Sequence, residues 1–211
     1  NVVAEERLYA EVDGWKLSGA IDQQTINGKN IEILDYKVTS VWSVIYGKKE
    51  WENQLNCYAY LVQRNKDKRV SKLTICAILR DWSRRDAERK PDYPQAPVVL
   101  VDVDLWSDTK RIEYVHDRIH AHQNADIFYD QFDDFVLCND EETWKREDSW
   151  AIKKRGQKRA MRVFDNKVSA IEFQKEQIVP VEMEYREGEL TRCSGNFCGV
   201  AEFCSQYRGK E

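Results

Sequence analysis

The order of apolar and polar positions along the chain predicts strands first, followed by helices that alternate with strands. Strands are predicted at residues 6–12, 15–22, 31–38, 71–80 and 97–104, and helices at residues 48–64, 107–124 and 167–177. Residues 84–97 contain three prolines and predict a loop within one domain. The composition changes after residue 138. These patterns predict an α/β core over residues 1–137 and a C-terminal extension over residues 138–211 that packs on it.

One hairpin turn fixes the register of the second and third strands. Asn27-Gly28 is a strong turn signal, because a type I′ turn requires positive φ at both central positions. With these residues as the turn, Asp22 lies directly opposite Ile33 and diagonally opposite Asp35. Diagonal neighbours are about 7–8 Å apart, so two carboxylates that lean inward can share one divalent cation. The hairpin therefore predicts a metal site.

The alternation of side chains along a strand predicts which residues face this site. Asp22, Asp35 and Lys37 project from one face. The other face, interpreted as the core side, carries Ile21, Leu34 and Tyr36. A charge in an apolar strand is costly unless it is paired or metal-bound, and a lysine beside two acids can orient or deprotonate water and offset phosphate charge. The alternative is an exposed sheet face with structural charges.

The helix predicted at residues 48–64 brings two polar side chains to one face. Gln54 and Tyr58 are four residues apart and are therefore neighbours on a helix, beside a stripe of apolar residues. A glutamine at the edge of that stripe can face a site while its neighbours pack. The alternative is that Tyr58 belongs to the core and Gln54 is solvated.

Three motifs follow one another in this region: Gly19 to Asp22 as GxxD, Asp35 to Lys37 as (D/E)xK, and Gln54 to Tyr58 as QxxxY. In these motifs the chain resembles the PD-(D/E)XK nuclease superfamily, and within it the RecB-like branch. That branch includes phage recombination exonucleases and CRISPR-associated RecB-like nucleases. The three motifs cover about forty residues, and in this order they are more specific than any one of them alone.

The resemblance implies a restriction-endonuclease-like fold, in which helices flank a mixed central sheet. It implies a metal-dependent DNA exonuclease of recombination or repair that leaves a 5′-phosphate. Such an enzyme would work in the cytoplasm of a bacterial or phage-infected cell, with a single-strand annealing or recombination protein as a further partner. By resemblance, the ligands of Mg²⁺ or Mn²⁺ are Asp22, Asp35 and the Tyr36 carbonyl, and the residues that serve the attacking water and the DNA are Lys37, Gln54 and Tyr58.

RecB-like nucleases usually carry an upstream helix that contributes a histidine or an acid to the metal. In this chain a predicted strand follows Asn1 within a few residues. Glu5 is one candidate for the missing ligand, because a tight turn at Asp13-Gly14 would pair it with Asp22. The alternative is that residues upstream of the sequence provide this ligand.

The histidines lie far downstream, in the helix predicted at residues 107–124. His116 and His120 have the i, i+4 spacing of a zinc pair, but no HExxH pattern surrounds them. We therefore interpret them, together with His122, as part of a solvated helix face.

The six cysteines fall into two groups. Cys57 and Cys76 lie in predicted core elements and are interpreted as small buried apolar residues. The remaining four, three of which are closely spaced near the C-terminus, are Cys138, Cys193, Cys198 and Cys204. Four thiolates suit either an iron–sulfur cluster or a tetrahedral zinc ion. RecB-like nucleases of this branch often hold a [4Fe-4S] cluster with a C-terminal cysteine trio, so the resemblance favours iron, with Cys138 in place of the more usual N-terminal cysteine.

The net charge of −4 argues against a generally basic coat, so positive charge for DNA must be local. Residues 153–159 carry five cations in seven residues with a glycine near the middle, which predicts a β-hairpin with a basic tip. These cations are Lys153, Lys154, Arg155, Lys158 and Arg159. The alternative is a solvated turn. The sequence contains no apolar run long enough to span a membrane, so no membrane partner is predicted.

Two other functions stay open at this stage. One is a DNA-binding module of the same fold whose catalytic site is idle because a metal ligand is missing. The other is an interaction protein stapled by zinc, in which the three motifs are coincidental. The sequence does not define the oligomeric state.

Overall fold

The computed structural model describes residues 1–208 and divides into two compact units, Asn1–Asn124 and Ala125–Glu211. We call them the N-terminal unit and the C-terminal unit. The division follows Asn124, whereas the change in composition predicted it after residue 137. Within residues 1–208, no helix combines the length and the apolar character that crossing a membrane requires.

The N-terminal unit is built on a five-stranded sheet. Its strands are β1 (Val2–Val12), β2 (Trp15–Asn27), β3 (Asn30–Thr39), β4 (Arg69–Leu79) and β5 (Val98–Val103). Its helices are α1 (Val41–Ile45), α2 (Lys49–Asn65), α3 (Arg84–Arg89) and α4 (Asp108–Phe132), which continues past Asn124. The strands lie in chain order across the sheet, and all neighbours are antiparallel except β3 and β4. A parallel pair needs a long crossover, and the segment containing α2 supplies it.

The mixed sheet and its flanking helices confirm the predicted fold class. The elements predicted from the pattern are present, and most of their ends differ by a few residues, but α4 ends at Phe132, whereas its end was predicted at residue 124. Helix α3 was not predicted, since it lies in the proline-containing segment interpreted as a loop. It begins after Ser83, whose hydroxyl accepts a hydrogen bond from the Asp86 backbone N–H at 3.3 Å and caps the helix.

The two hairpin turns differ in type, and one predicted register was wrong. Asp13 and Gly14 both have positive φ, as a type I′ turn requires, and the β1–β2 register is the predicted one. At the second turn Asn27 pairs with Asn30, so Gly28 and Lys29 form the turn, one residue later than predicted. Gly28 alone of this pair has positive φ, the pattern of a type II′ turn with glycine at the first central position.

The main core of the N-terminal unit lies between the sheet and α2. Alternate residues of β3 face this core, and the centre of β4 is buried over several consecutive residues. Fully buried members of the core include Ile31, Ile33, Leu55, Leu61, Leu73 and Ile75. The rigid packing of α2 on β3 fixes the positions of any polar side chains at the border between them.

The C-terminal unit contains a three-stranded antiparallel sheet and short helices. Its strands are β6 (Ser149–Lys154), β7 (Ala160–Phe164) and β8 (Val181–Arg186), in the order β7-β6-β8. Its helices are α5 (Asp140–Thr143), α6 (Lys167–Lys175), α7 (Thr191–Ser194) and α8 (Ser205–Arg208), with a 3₁₀ turn at Ala201–Phe203. β6 and β7 form the predicted hairpin, and α6 is the predicted short helix. β8 was not predicted.

Candidate functional site

Asp35 and Lys37 lie on the face of β3 that is covered by α2. They follow Ile31 and Ile33 at alternate positions, and Ile31 and Ile33 are buried in the core. The opposite face carries Tyr36, which is 49% exposed. The prediction that Leu34 and Tyr36 mark the core side was therefore wrong. The carboxylate of Asp35 lies at the edge of the core instead of on an outer face of the sheet.

Asp35 is buried with an incompletely satisfied carboxylate. The residue is 1% exposed, and its Oδ2 atom has no hydrogen-bond partner of acceptable geometry within residues 1–208. The Lys37 Nζ atom lies 2.6 Å from this oxygen, which is an ion-pair distance without the angles of a hydrogen bond. Burial raises the pKa of the Asp35 carboxyl, and Asp22 raises it further, while Lys37 opposes both effects. A divalent cation bound by both carboxylates, in addition to Lys37, would lower this cost further.

Asp22 lies beside Asp35 at the point where β2 and β3 stop pairing. The ladder ends at Gln23 and Leu34, and one further step of the same register places Asp22 opposite Asp35. The Asp22 Oδ2 atom accepts a hydrogen bond from the Tyr36 backbone N–H at 2.8 Å. The two carboxylates are therefore direct neighbours, where the sequence predicted a diagonal pair. The other oxygen of Asp22 stays available as a ligand.

Helix α2 delivers the third motif to the same place. The Gln54 side-chain amide donates a hydrogen bond to the Tyr58 hydroxyl at 2.7 Å. Burial raises the pKa of Tyr58, and the nearby carboxylates of Asp35 and Asp22 raise it further, so the phenol keeps its proton at neutral pH. Tyr58 thus lies close enough to Asp35, Lys37 and Asp22 for their charges to act on its pKa.

Gly19 has a physical role that sequence reasoning did not assign. A Cβ atom at this position would lie 2.8 Å from Cε1 of Tyr58 and 2.9 Å from Cδ1 of Leu61. The tyrosine ring therefore packs directly on the backbone of β2, where only glycine leaves room for it. A glycine inside a strand signals a close approach of this kind, and that signal was present in the sequence.

The donor set of Asp22 and Asp35 fits a divalent cation that prefers oxygen ligands, such as Mg²⁺ or Mn²⁺. The close approach of two carboxylates, one of which is 1% exposed, is the observation that supports this fit. Two further predicted ligands stay predictions. The Tyr36 carbonyl is one. Glu5 is the other: it lies opposite Asp22 by register, is exposed, and has φ of 52°.

The four cysteines outside the core elements come together in the C-terminal unit. The Gln206 side chain accepts a hydrogen bond from the Cys138 backbone N–H at 2.9 Å and donates one to the Cys138 carbonyl at 2.8 Å. This pair of bonds ties Cys138 to the segment that contains Cys204. Asn139 begins α5 with a capping box, so Cys138 directly precedes the helix, as predicted.

The thiols of this cysteine cluster interact electrostatically. Burial raises the pKa of Cys138 and of Cys193, and both Cys198 and Cys204 raise these pKa values further. Within residues 1–208, no three of the cysteine sulfurs lie within 4.8 Å of one another. Tetrahedral zinc with Zn–S bonds of about 2.3 Å would bring its sulfurs to about 3.8 Å. Four thiolates that each bind a different iron of a cluster stand farther apart.

Of the other two cysteines, Cys76 is buried as predicted, whereas Cys57 is only partly buried. Cys76 is 8% exposed in β4, and burial raises the pKa of Cys57 in α2 to about 11. A thiol with so high a pKa is a poor ligand at neutral pH. All six cysteines are free of disulfide bonds.

The basic tip between β6 and β7 has four exposed cations and one paired cation. Lys153 contacts Glu184 and Glu182 on β8, so its charge is offset within the sheet. Gly156 has φ of 80° and lets the chain turn. The cations that stay exposed are Lys154, Arg155, Lys158 and Arg159.

Two of the three histidines have a partner that the prediction of a solvated helix face did not include, whereas His122 is exposed as predicted. His116 and His120 both contact the carboxylate of Asp13, in the β1–β2 turn. The i, i+4 spacing of the two histidines is visible in the sequence. Their partner Asp13 is not, because it lies 103 residues before His116.

Comparisons with known proteins add little to this site. No family model matches the chain, and no curated protein matches it. Among solved structures, the crystal structure of SSO0001 is similar at 14% identity and a TM-score of 0.38, over 57% of this chain and 50% of that chain. The matched region thus spans half the length of that protein. A similarity of this size carries no argument about function.

Proposed function

We propose that this protein is a divalent-metal-dependent nuclease that hydrolyses phosphodiester bonds in DNA. One observation carries the proposal. The side chains of three separate sequence motifs converge on Asp35, a buried carboxylate whose Oδ2 atom is ion-paired with Lys37. Burial raises the pKa of the Asp35 carboxyl even though Lys37 opposes the shift, and ionisable groups perturbed in this way cluster at functional sites. The resemblance to RecB-like nucleases in the same motifs supports the same reaction class.

Each residue of the site has a separate role in phosphodiester hydrolysis. A divalent cation bound here supplies a Lewis acid that activates water and offsets phosphate charge. Asp22 and Asp35 hold that cation, and the Tyr36 N–H fixes the orientation of Asp22. Lys37 is 28% exposed in its side chain and reaches from Asp35 toward solvent, so it can orient the attacking water and stabilise negative charge on the phosphate.

Tyr58 completes the arrangement as a positioned hydrogen-bond donor. Its oxygen already accepts from Gln54, so its own proton points away from that residue. The raised pKa of Tyr58 keeps that proton in place at neutral pH, where it can be donated to a carboxylate or a phosphate oxygen. Gln54 therefore acts as a positioning residue, and Tyr58 is the group that faces the substrate.

The test of this function is a cleavage assay on end-labelled single-stranded and double-stranded DNA. We expect cleavage with Mg²⁺ or Mn²⁺, products with 5′-phosphates, and no cleavage with a chelator. Lys37→Ala should lower the rate by about 100-fold or more, because a positioned charge in a site of this kind contributes a few kcal/mol. Lys72→Ala, in β4, is the matched control, since Lys72 pairs with Asp102 away from these motifs. Equal rates for wild type and Lys37→Ala would contradict the proposal.

We further propose that the basic tip binds the phosphate backbone of the substrate without reading its bases. Four exposed cations on one short turn make a local positive site in a chain with a net charge of −4. Contacts of this type position nucleic acid and carry no sequence information.

Arg155→Gln together with Lys158→Gln should weaken DNA binding equally for different sequences. The slope of log Kd against log salt should fall by about 2, one for each phosphate contact that is lost. The matched control is Lys167→Gln with Lys175→Gln, which removes the same charge from exposed positions of α6 in the same unit. The two pairs should be compared by fluorescence anisotropy over a range of salt. If both pairs change the slope equally, the tip has no specific part in binding.

We also propose that the cysteine cluster holds a [4Fe-4S] centre with a structural role. Four thiols that lie close enough to interact electrostatically support one metal centre, and the resemblance to RecB-like nucleases favours iron over zinc. Such a centre would tie the segment around Cys204 to Cys138, as the hydrogen bonds of Gln206 already do.

A further inference from the structure

Three side chains with nitrogen and oxygen donors meet where the β1–β2 turn approaches α4. The Asp13 Oδ2 atom lies 2.6 Å from Nδ1 of His116 and 2.9 Å from Nε2 of His120. The three donor atoms lie within 4.8 Å of one another, and no other group of three or more such residues does so within residues 1–208. None of the three belongs to the candidate active site or to the cysteine cluster.

The positions of these residues are set by a small apolar cluster. Val12, Val115 and Ile119 are buried together, with Tyr60 of α2 completing the cluster. Asp13 directly follows Val12, His116 follows Val115, and His120 follows Ile119. Each donor is therefore the chain neighbour of a buried anchor, so packing on rigid elements holds the three donors together.

The backbone of the turn is fixed as well. Asp13 and Gly14 have φ of 48° and 78°, so the turn has the left-handed conformation of type I′ at both central residues. The Gln123 side-chain amide donates a hydrogen bond to the Asp13 carbonyl at 2.7 Å. Asp13 is thus held by its backbone while its carboxylate faces two imidazoles one helical turn apart. A hydrogen bond from a neighbouring residue that holds a ligand residue in place is typical of metal sites.

We propose that Asp13, His116 and His120 bind a zinc ion, with the fourth position open to water. Two imidazole nitrogens and one carboxylate oxygen are donors that suit zinc, whereas magnesium and calcium prefer oxygen alone. Ligand atoms around tetrahedral zinc stand about 3.3 Å apart, given bonds of about 2.0–2.2 Å. The present separations from the Asp13 oxygen must widen by about 0.7 Å at His116 and about 0.4 Å at His120, whose side chains are 32% and 56% exposed.

The open fourth position has a chemical consequence. Three protein ligands and one water are the arrangement of catalytic zinc sites, and structural sites close all four positions with protein. The partly exposed side chains of Asp13 and the two histidines leave room for that water. This site does not depend on the proposed nuclease function.

The test is zinc binding by the full chain, measured by equilibrium dialysis with metal analysis. We expect wild type to bind one more equivalent of Zn²⁺ than His120→Ala or Asp13→Asn, with affinity for this equivalent falling by at least about 100-fold. His122→Ala is the matched control, because His122 is exposed on the same helix and should keep the full amount. Far-ultraviolet circular dichroism of each variant establishes that it is folded.

The cysteine cluster is a second place where zinc can bind, and cobalt separates the two. Co²⁺ at the Asp13 site should give visible d–d bands without thiolate-to-cobalt charge transfer, and these bands should vanish in His116→Ala and persist in Cys198→Ser. If wild type and His120→Ala bind the same amount of zinc, the proposal is overturned. It is equally overturned if all bound zinc is lost in Cys198→Ser.

Discussion

Asp35→Asn is expected to abolish metal-dependent DNA cleavage and, in the metal-free protein near neutral pH, to raise thermal stability. Loss of one ligand of an essential cation removes several kcal/mol of transition-state stabilisation, so the rate should fall by about 1,000-fold or more. The gain in stability follows from the same carboxylate. It is 1% exposed, and one of its oxygens lacks a hydrogen bond. An uncharged amide avoids the cost of burying that charge.

The pH dependence of this gain follows from linkage. Burial raises the pKa of the Asp35 carboxyl, so the folded state holds a proton more tightly than the unfolded chain does. The stability of wild type therefore falls as pH rises from the ordinary carboxyl pKa through the raised pKa of the folded state. Above the raised pKa of the folded state, the full free-energy cost of burying the charged Asp35 carboxylate remains. The advantage of Asp35→Asn should be largest near pH 7 and should disappear toward about pH 4.

These two effects are measured together. Cleavage is followed on labelled DNA with Mn²⁺, and melting temperature is followed after the divalent cation has been removed by dialysis. A rise of at least about 2 °C is the shift expected for about 1 kcal/mol in a chain of this size. Asp92→Asn, at an exposed position in the same unit, should change neither quantity. Activity within tenfold of wild type would show that Asp35 is not an essential metal ligand. A lower melting temperature for Asp35→Asn would show that burial of the Asp35 charge does not destabilise the fold.

Cys198→Ser is expected to remove the metal of the C-terminal unit and to lower the melting temperature by about 10 °C. A structural metal contributes its binding free energy to folding, and a loss of about 4 kcal/mol has this effect in a chain of this length. The active site should keep its cation, because Asp22 and Asp35 lie in the N-terminal unit. The melting temperature and the iron and zinc contents are measured on anaerobically purified protein.

Metal analysis distinguishes three outcomes for the cysteine cluster. Near-stoichiometric iron with a visible sulfur-to-iron band, lost in Cys198→Ser, supports the [4Fe-4S] proposal. Zinc alone contradicts iron but keeps a four-cysteine metal site. Neither metal at near-stoichiometric level contradicts both. Cys57→Ala is the control, since burial holds the pKa of this thiol at about 11 and it lies in α2, outside the cluster.

The two hairpins of the N-terminal unit show how much of this fold can be predicted from sequence patterns. The turn signals at Asp13-Gly14 and at Asn27-Gly28 look equivalent in sequence, and both hairpins are present. Only the first has the predicted register. At the second, Gly28 takes the first central position of the turn instead of the second, so the pairing shifts. Tertiary packing decides between the two, since each register buries a different set of side chains.

For a related reason, the sequence does not predict which face of β3 is buried. Alternation places Asp35 with Ile31 and Ile33 on one side, but it does not say which side a helix will cover. The structure puts α2 on the isoleucine side, so the Asp35 carboxylate is buried with them. The motif residues were found from local spacing, whereas the Asp13 contact with His116 spans 103 residues and has no local signal.

Glu5 gives β1 a property that concerns the sheet as a whole. β1 and β5 are the two outer strands of the five-stranded sheet, and an outer strand with regular free N–H and C=O groups invites a second copy to pair with it. The left-handed backbone at Glu5 interrupts that row near the middle of β1, and β5 is only six residues long. The β1 edge is thus a poorer template for intermolecular strand addition than a regular strand of its length would be.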